Sequence, residues 1–120
     1  MLQLLLHGLG DYIIQNDWMA LNKKKHTRIG ELACQIHCIT YALPFFFIGS
    51  WKAVLAIYLN HYILDRTHLI EWFLSVRNGV FHIQNFGYHK ERPVFISVWL
   101  SIIADNFIHL ILNYIALKYL

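Results

Sequence analysis

Histidine and aspartate recur four residues apart in three apolar stretches of this sequence. The pairs are His7/Asp11, His61/Asp65 and, in reversed order, Asp105/His109. Residues at this spacing share one face of an α-helix. Neutral imidazole and carboxylate both bind zinc, and carboxylates also suit manganese and magnesium. Each pair therefore presents two potential ligands of one divalent ion.

Two more polar side chains belong to the same pattern. Gln15 follows Asp11 by one helical turn, and His37 lies in another apolar stretch. Helical bundles commonly build metal sites from the side chains of facing helices. The sequence predicts one interior site, in which Gln15 and His37 support the ligands. The predicted ligands are His7, Asp11, His61, Asp65, Asp105 and His109.

The elements that carry these residues are typical of a membrane protein. Hydrophobic residues make up 58% of the 120 residues and charged residues 14%, against about 45–50% and about 25% in soluble domains. A helix needs about 20 apolar residues to cross a bilayer, and four windows qualify: residues 2–21, 29–48, 51–73 and 94–119. We expect one all-α domain, residues 1–120, forming a bundle of four transmembrane helices. Pro44 should kink the second helix or end its regular part early.

The basic residues predict the orientation of this bundle. They concentrate at residues 23–28 and 77–92, each beside an apolar stretch. The positive-inside rule places both connections in the cytoplasm and both termini outside. We interpret Lys23, Lys24 and Lys25 as this topology signal. The distribution favours membrane lipid over nucleic acid as a partner.

Four motifs carry a family resemblance. Residues 7–19 read H-x-x-G-D-Y-x-x-Q-x-x-W-M and are followed by Asn-Lys, and His37 stands in the next apolar stretch. Residues 61–66 read H-x-x-x-D-R, and residues 105–109 read D-N-x-x-H. This set resembles a family of small bacterial and phage membrane proteins of unknown function, whose last motif usually has Gln where Asn106 stands here. The resemblance implies a multi-pass protein of the bacterial inner membrane.

By pattern, that family is also similar to membrane-bound metal-dependent hydrolases. The resemblance implies a hydrolase with a divalent metal, zinc first and manganese or magnesium as alternatives, acting on a lipid-linked or amphipathic substrate such as a phosphoester. The candidates for proton transfer are Asp11, Asp65 and Asp105, and Arg66 is a candidate for binding phosphate. Arg66 is alternatively the salt-bridge partner of Asp65, which would leave His61 as the one ligand of its helix.

Two other classes of function remain open at this stage. Intramembrane His and Asp residues also line the pathways of metal-ion, proton or small-solute carriers and channels. Four helices are few for such a pathway, so this hypothesis predicts a homo-oligomer. The third hypothesis is a non-catalytic protein that binds a host membrane protein and uses its polar core for folding specificity. Neither a Gly-rich phosphate loop nor a G-x-S-x-G motif is present.

Overall fold

A computed structural model of all 120 residues contains helices and no strands, which confirms the predicted all-α class. In chain order its elements are α1 (Leu2–Gly8), a π-helical turn (Leu9–Ile14), α2 (Asp17–Asn22), α3 (Arg28–Ala42), a 3-10 helix (Leu43–Phe47), α4 (Trp51–Arg66), α5 (Leu69–Arg77), a 3-10 turn (Asn85–Gly87) and α6 (Val94–Tyr119). The chain forms two compact units. The first contains residues 1–66 and 109–120, and the second contains residues 67–108.

One helix, α6, is long and apolar enough to cross a bilayer. Its 26 residues coincide with the fourth predicted segment, and only 11% of its most apolar window is buried. Its high mean hydropathy and the absence of proline or glycine inside it explain why this segment was predictable. The other three predicted segments are each divided. The structure therefore has one helix of spanning length where the sequence predicted four.

The first predicted segment is interrupted by the π turn and by a new helix start. A Cβ atom on Gly10 would lie 2.4 Å from Cδ2 of the Tyr41 ring, so glycine permits α3 to approach here. The side chain of Asn16 then accepts a hydrogen bond of 3.0 Å from the backbone N–H of Met19 and caps α2. Asp11 consequently lies in the π turn and not in a straight helix. Turns of this kind occur frequently at functional sites.

The α-helical parts of the second and third predicted segments end close to Pro44 and Thr67, respectively. The α-helical part of the second segment stops at Ala42, and Pro44 falls in the first turn of the 3-10 helix, which confirms the effect predicted for it. In the third segment α4 ends at Arg66. The Thr67 hydroxyl accepts a hydrogen bond from the Leu69 backbone N–H, and this local pairing competes with continuation of the helix.

Apolar packing in the first unit joins α1, α3, the 3-10 helix, α4 and the last part of α6. Its buried core consists of Leu6, Tyr41, Ala42, Phe45, Val54, Ile57 and Ala116. Many other large apolar side chains are exposed, among them Phe47, Trp51 and Tyr114. The first unit therefore leaves many of its large apolar side chains outside the core.

The second unit is organised around Tyr88. Its ring is buried, and the guanidinium of Arg92 lies 4.8 Å from the ring centre. Gly87 has a φ of +87°, and a Cβ atom there would lie 2.6 Å from the backbone oxygen of Glu71. The loop after α5 therefore folds closely against that helix. Of the predicted site residues, Asp105 alone belongs to this unit.

Candidate metal centre

Four side chains from three elements bring their polar atoms together in the first unit. The Nε2 atoms of His37 on α3 and His61 on α4 lie 2.9 Å apart. Asp11 Oδ1, from the π turn, lies 3.3 Å from the first nitrogen and 3.4 Å from the second. Asp65 Oδ2, from α4, lies 3.0 Å and 3.3 Å from the same two atoms. The four atoms form two triangles that share the His37–His61 edge.

These separations suit a tetrahedral metal ion. Zinc binds nitrogen and oxygen ligands at about 2.0–2.2 Å, which places neighbouring ligand atoms about 3.3–3.6 Å apart. Three of the five separations, at 3.3 to 3.4 Å, match this spacing, and the other two, at 2.9 and 3.0 Å, are somewhat shorter. Each triangle by itself presents three ligand atoms, as one face of a tetrahedral site does. Buried His and Asp side chains therefore lie within metal-binding distance of one another.

Two further histidines flank this arrangement and approach the outer oxygen of each carboxylate. His7 Nδ1 lies 3.5 Å from Asp11 Oδ2, and His109 Nε2 lies 3.8 Å from Asp65 Oδ1. His61, Asp65 and His109 form a second set whose ligand atoms all lie within 4.8 Å of one another. Each carboxylate thus has one oxygen in the triangles and the other beside a flanking imidazole.

The side chains of the centre are buried, so a polar atom among them that lacks a hydrogen bond raises the free energy of the folded protein. His37 and His61 are at most 1% exposed, and Asp65 is 4% exposed. Asp11 Oδ1 is buried without a hydrogen bond of good geometry, although two imidazole nitrogens face it within 3.4 Å. A buried polar atom without a partner costs free energy. A cation among these atoms would remove that cost.

Lys23 is a member of the centre that the sequence analysis missed. Its ammonium donates to Asp65 Oδ2 and to Gln15 Oε1, both at 2.7 Å, and lies 3.5 Å from His37 Nε2. The neighbouring Lys25 is exposed and donates to Asn22. A signal was present in the sequence, because Lys23 stands eight residues after Gln15, which is twice the spacing of the first motif.

Tyr41 and Asn113 also belong to the centre and were missed. The Tyr41 hydroxyl accepts a hydrogen bond of 2.6 Å from Asn113 Nδ2 and lies 2.7 Å from His7 Nδ1. Its ring stacks on His61 at a centroid distance of 3.6 Å. Both residues stand four positions after a histidine of the pattern, His37 and His109, and the same spacing could have identified them.

Arg66 was considered as a phosphate ligand or, alternatively, as the salt-bridge partner of Asp65. Its contacts in the structure bear on the second role. Its guanidinium donates to the backbone oxygens of Lys23 and Lys25 and lies 3.2 Å from Glu31 Oε2. The ammonium that pairs with Asp65 is that of Lys23. Both polar residues of α4, His61 and Asp65, therefore reach the centre, while Arg66 fixes the connection that follows α2.

The remaining predicted residues are distributed as follows. His37, expected to support the ligands, contributes Nε2 directly to both triangles. Gln15 holds Lys23, and its amide also bonds the backbone oxygen of Asp11 at 3.3 Å. Asp105 lies on α6 one turn before His109 and is partly buried, and neither set of converging ligand atoms includes it.

Comparison of the chain with protein-family models, with curated proteins and with solved structures found no match. The resemblance described for the four motifs therefore stays a hypothesis. The geometry of the centre is the remaining indication of function.

Proposed function

We propose that this protein binds one divalent metal ion, zinc in the first instance, between Asp11, His37, His61 and Asp65. The observation that carries the proposal is the pair of triangles formed by their ligand atoms, with sides of 2.9 to 3.4 Å. Two imidazoles and two carboxylates suit zinc, and manganese is the alternative. All four residues come from the first unit, so one chain supplies the whole set.

The proposal places this centre inside the bacterial inner membrane, with the basic connections in the cytoplasm. The length of α6 and the exposed apolar side chains of the other helices support this. Helix α3 and its 3-10 extension together cover residues 28–47, which is close to the length that a bilayer requires. Residues 2–22 and 51–66 would complete the bundle as shorter or broken segments. Such segments occur in membranes where they line a polar interior.

The reaction class we propose is hydrolysis of an amphipathic or lipid-linked ester. A divalent ion held here would supply Lewis acidity toward water and toward a phosphoryl or carbonyl oxygen. Catalytic zinc sites commonly use three protein ligands. Since the His37–His61 edge is common to both triangles, either Asp11 or Asp65 completes a three-ligand set. The other carboxylate is then available to accept a proton, and the Lys23 ammonium offers positive charge to an anionic substrate.

The test is metal content together with activity. Full-length protein purified in detergent without chelators and supplied with zinc should retain about one ion per chain. It should also hydrolyse a chromogenic phosphodiester or ester with an acyl chain. His61→Ala should lose both properties. Wild-type protein that retains no metal would overturn the metal site, and a loaded protein that hydrolyses neither substrate class would overturn the reaction.

A second candidate, a metal-ion carrier, is favoured by one specific contact. The Lys23 ammonium is bound directly to the potential ligand Asp65 at 2.7 Å, and a site that holds its own cation can exchange it for a transported one. Zinc entry into proteoliposomes that contain the protein and a trapped fluorescent indicator tests this candidate. Entry that Asp65→Asn abolishes would support the carrier, and no entry above that of empty vesicles would reject it.

A further inference from the structure

The Lys23 ammonium approaches two of the atoms that are proposed to bind the metal ion. Its ammonium donates to Asp65 Oδ2 at 2.7 Å and lies 3.5 Å from His37 Nε2. Both atoms are corners of the triangles to which the metal is assigned. An ammonium and a dication that approach the same carboxylate oxygen repel each other strongly, since the centre is largely removed from water. The two cations therefore compete for Asp65.

The charges of the buried groups also favour competition between the Lys23 ammonium and the metal ion. Histidines that bind a metal are neutral, so with a metal bound the Asp11 and Asp65 carboxylates contribute two negative charges and the Lys23 ammonium one positive charge. A dication in place of the ammonium makes the group neutral, and both cations together leave it positive. Since burial penalises net charge, the arrangement with one cation species at Asp65 is favoured over the arrangement with both.

The structure also shows where the ammonium can remain after it leaves Asp65. Gln15 Oε1 already accepts a hydrogen bond of 2.7 Å from it. The Lys23 side chain is 16% exposed, so it has a route out of the centre. Its backbone is fixed independently, because the Arg66 guanidinium donates to the Lys23 backbone oxygen at 3.0 Å. The side chain can thus change partner while its anchor stays in place.

We infer that Lys23 is a tethered competitor of the metal: its ammonium neutralises Asp65 when no ion is bound and moves to Gln15 when an ion enters. This inference rests on the proposed metal site. It gives Lys23 two functions, which are to stabilise the metal-free protein and to weaken metal binding so that the ion can exchange. If the ammonium holds Asp65 in about nine tenths of metal-free molecules, the apparent metal affinity is about tenfold weaker than that of the unblocked site.

Lys23→Met tests the inference, because methionine has similar length and no charge. Zinc titration in detergent with a competing fluorescent chelator should show binding about tenfold tighter than in wild type. Without zinc the variant should melt at a lower temperature than wild type, and zinc should raise its melting temperature by more. Lys25→Met is the matched control, since the Lys25 side chain is exposed and its ammonium donates to Asn22, away from the centre. It should bind zinc like wild type.

The outcomes separate this inference from the proposed function. Equal or weaker zinc affinity in Lys23→Met, with wild type binding zinc, would overturn the inference and leave the metal site standing. Binding by Lys23→Met alone would overturn the metal site proposed for wild type and, with it, the movement of the Lys23 ammonium to Gln15. Absence of zinc binding in both proteins would overturn both proposals.

A measurement on wild type keeps the inference testable even if Lys23→Met does not fold. Limited acylation followed by mass spectrometry reports the reactivity of each lysine. Addition of zinc should increase modification of Lys23, because its ammonium leaves Asp65, and should leave Lys25 unchanged. Unchanged modification of Lys23 in protein shown to hold zinc would overturn the inference.

Discussion

The Nε2 atoms of His37 and His61 lie 2.9 Å apart, on two helices that form the main packing contact of the first unit. A single proton can lie between two nitrogens at this distance. When neither nitrogen carries a proton, their lone pairs face each other and repel. Two carboxylate oxygens approach the same pair within 3.4 Å. Apolar packing of α3 on α4 therefore holds together groups that repel one another unless a cation or shared protons intervene.

Removal of one carboxylate should weaken metal retention. Asp11→Asn preserves the size of the side chain and removes one of the two charges that pair with the dication, so its zinc content should fall well below the level of about one ion per chain expected of wild type. Zinc should also raise the melting temperature of wild type by more than that of the variant, because ligands stabilise the state that binds them. Mass-spectrometric metal analysis and thermal unfolding in detergent measure the two effects.

His89→Ala is the control for this prediction. His89 lies in the second unit, where its Nε2 atom contacts the backbone oxygen of Asn78 at 3.0 Å. Its removal should leave the zinc content unchanged. If Asp11→Asn retained as much zinc as His89→Ala, the assignment of Asp11 as a ligand would be wrong.

Tyr41→Phe should destabilise the protein without removing the metal. The substitution keeps the ring that stacks on His61 and deletes the hydroxyl that contacts His7 and Asn113. Two buried polar groups lose a partner, which costs about 1–3 kcal/mol of unfolding free energy. Denaturant or thermal unfolding measures this cost. Tyr58→Phe, which alters a partly exposed hydroxyl bonded to Gln35, should have a smaller effect, and an equal effect would contradict this account of Tyr41.

The sequence predicted the composition of the centre better than the path of its helices. The four-residue spacing identified five of the converging side chains, because a helix face brings such residues together over short distances. The π turn could not be predicted, since it depends on the contact between Gly10 and the ring of Tyr41 on another element. Lys23 was missed because a basic residue at the end of a helix can equally well be interpreted as a topology signal. The break after Arg66, which divides the predicted segment 51–73, was also missed, because no proline or glycine marks it.

The proposed orientation predicts which side of the membrane each connection faces. A single cysteine at Lys25 should react with an impermeant maleimide only after the cells are permeabilised, whereas one at Ser50 should react in intact cells. The positive-inside rule is the reason for this expectation. The native Cys34 and Cys38 are fully buried, and alanine at both positions removes any background. Reaction of position 25 in intact cells would reverse the orientation.

Two neighbouring glycines should respond in opposite directions to the same substitution. A Cβ atom on Gly10 would lie 2.4 Å from the Tyr41 ring, whereas one on Gly8 would meet nothing within 4 Å. Gly8→Ala should therefore stabilise the protein by about 0.5–1 kcal/mol, because alanine favours helix and restricts the unfolded chain. Gly10→Ala should destabilise it by about 1–3 kcal/mol, since the buried ring cannot move aside without strain. The displaced ring also packs on His61, so Gly10→Ala should bind zinc more weakly than Gly8→Ala does. Unfolding and zinc titrations on both variants measure the contrast, and equal behaviour of the two would show that the close approach of Gly10 to Tyr41 does not shape the centre.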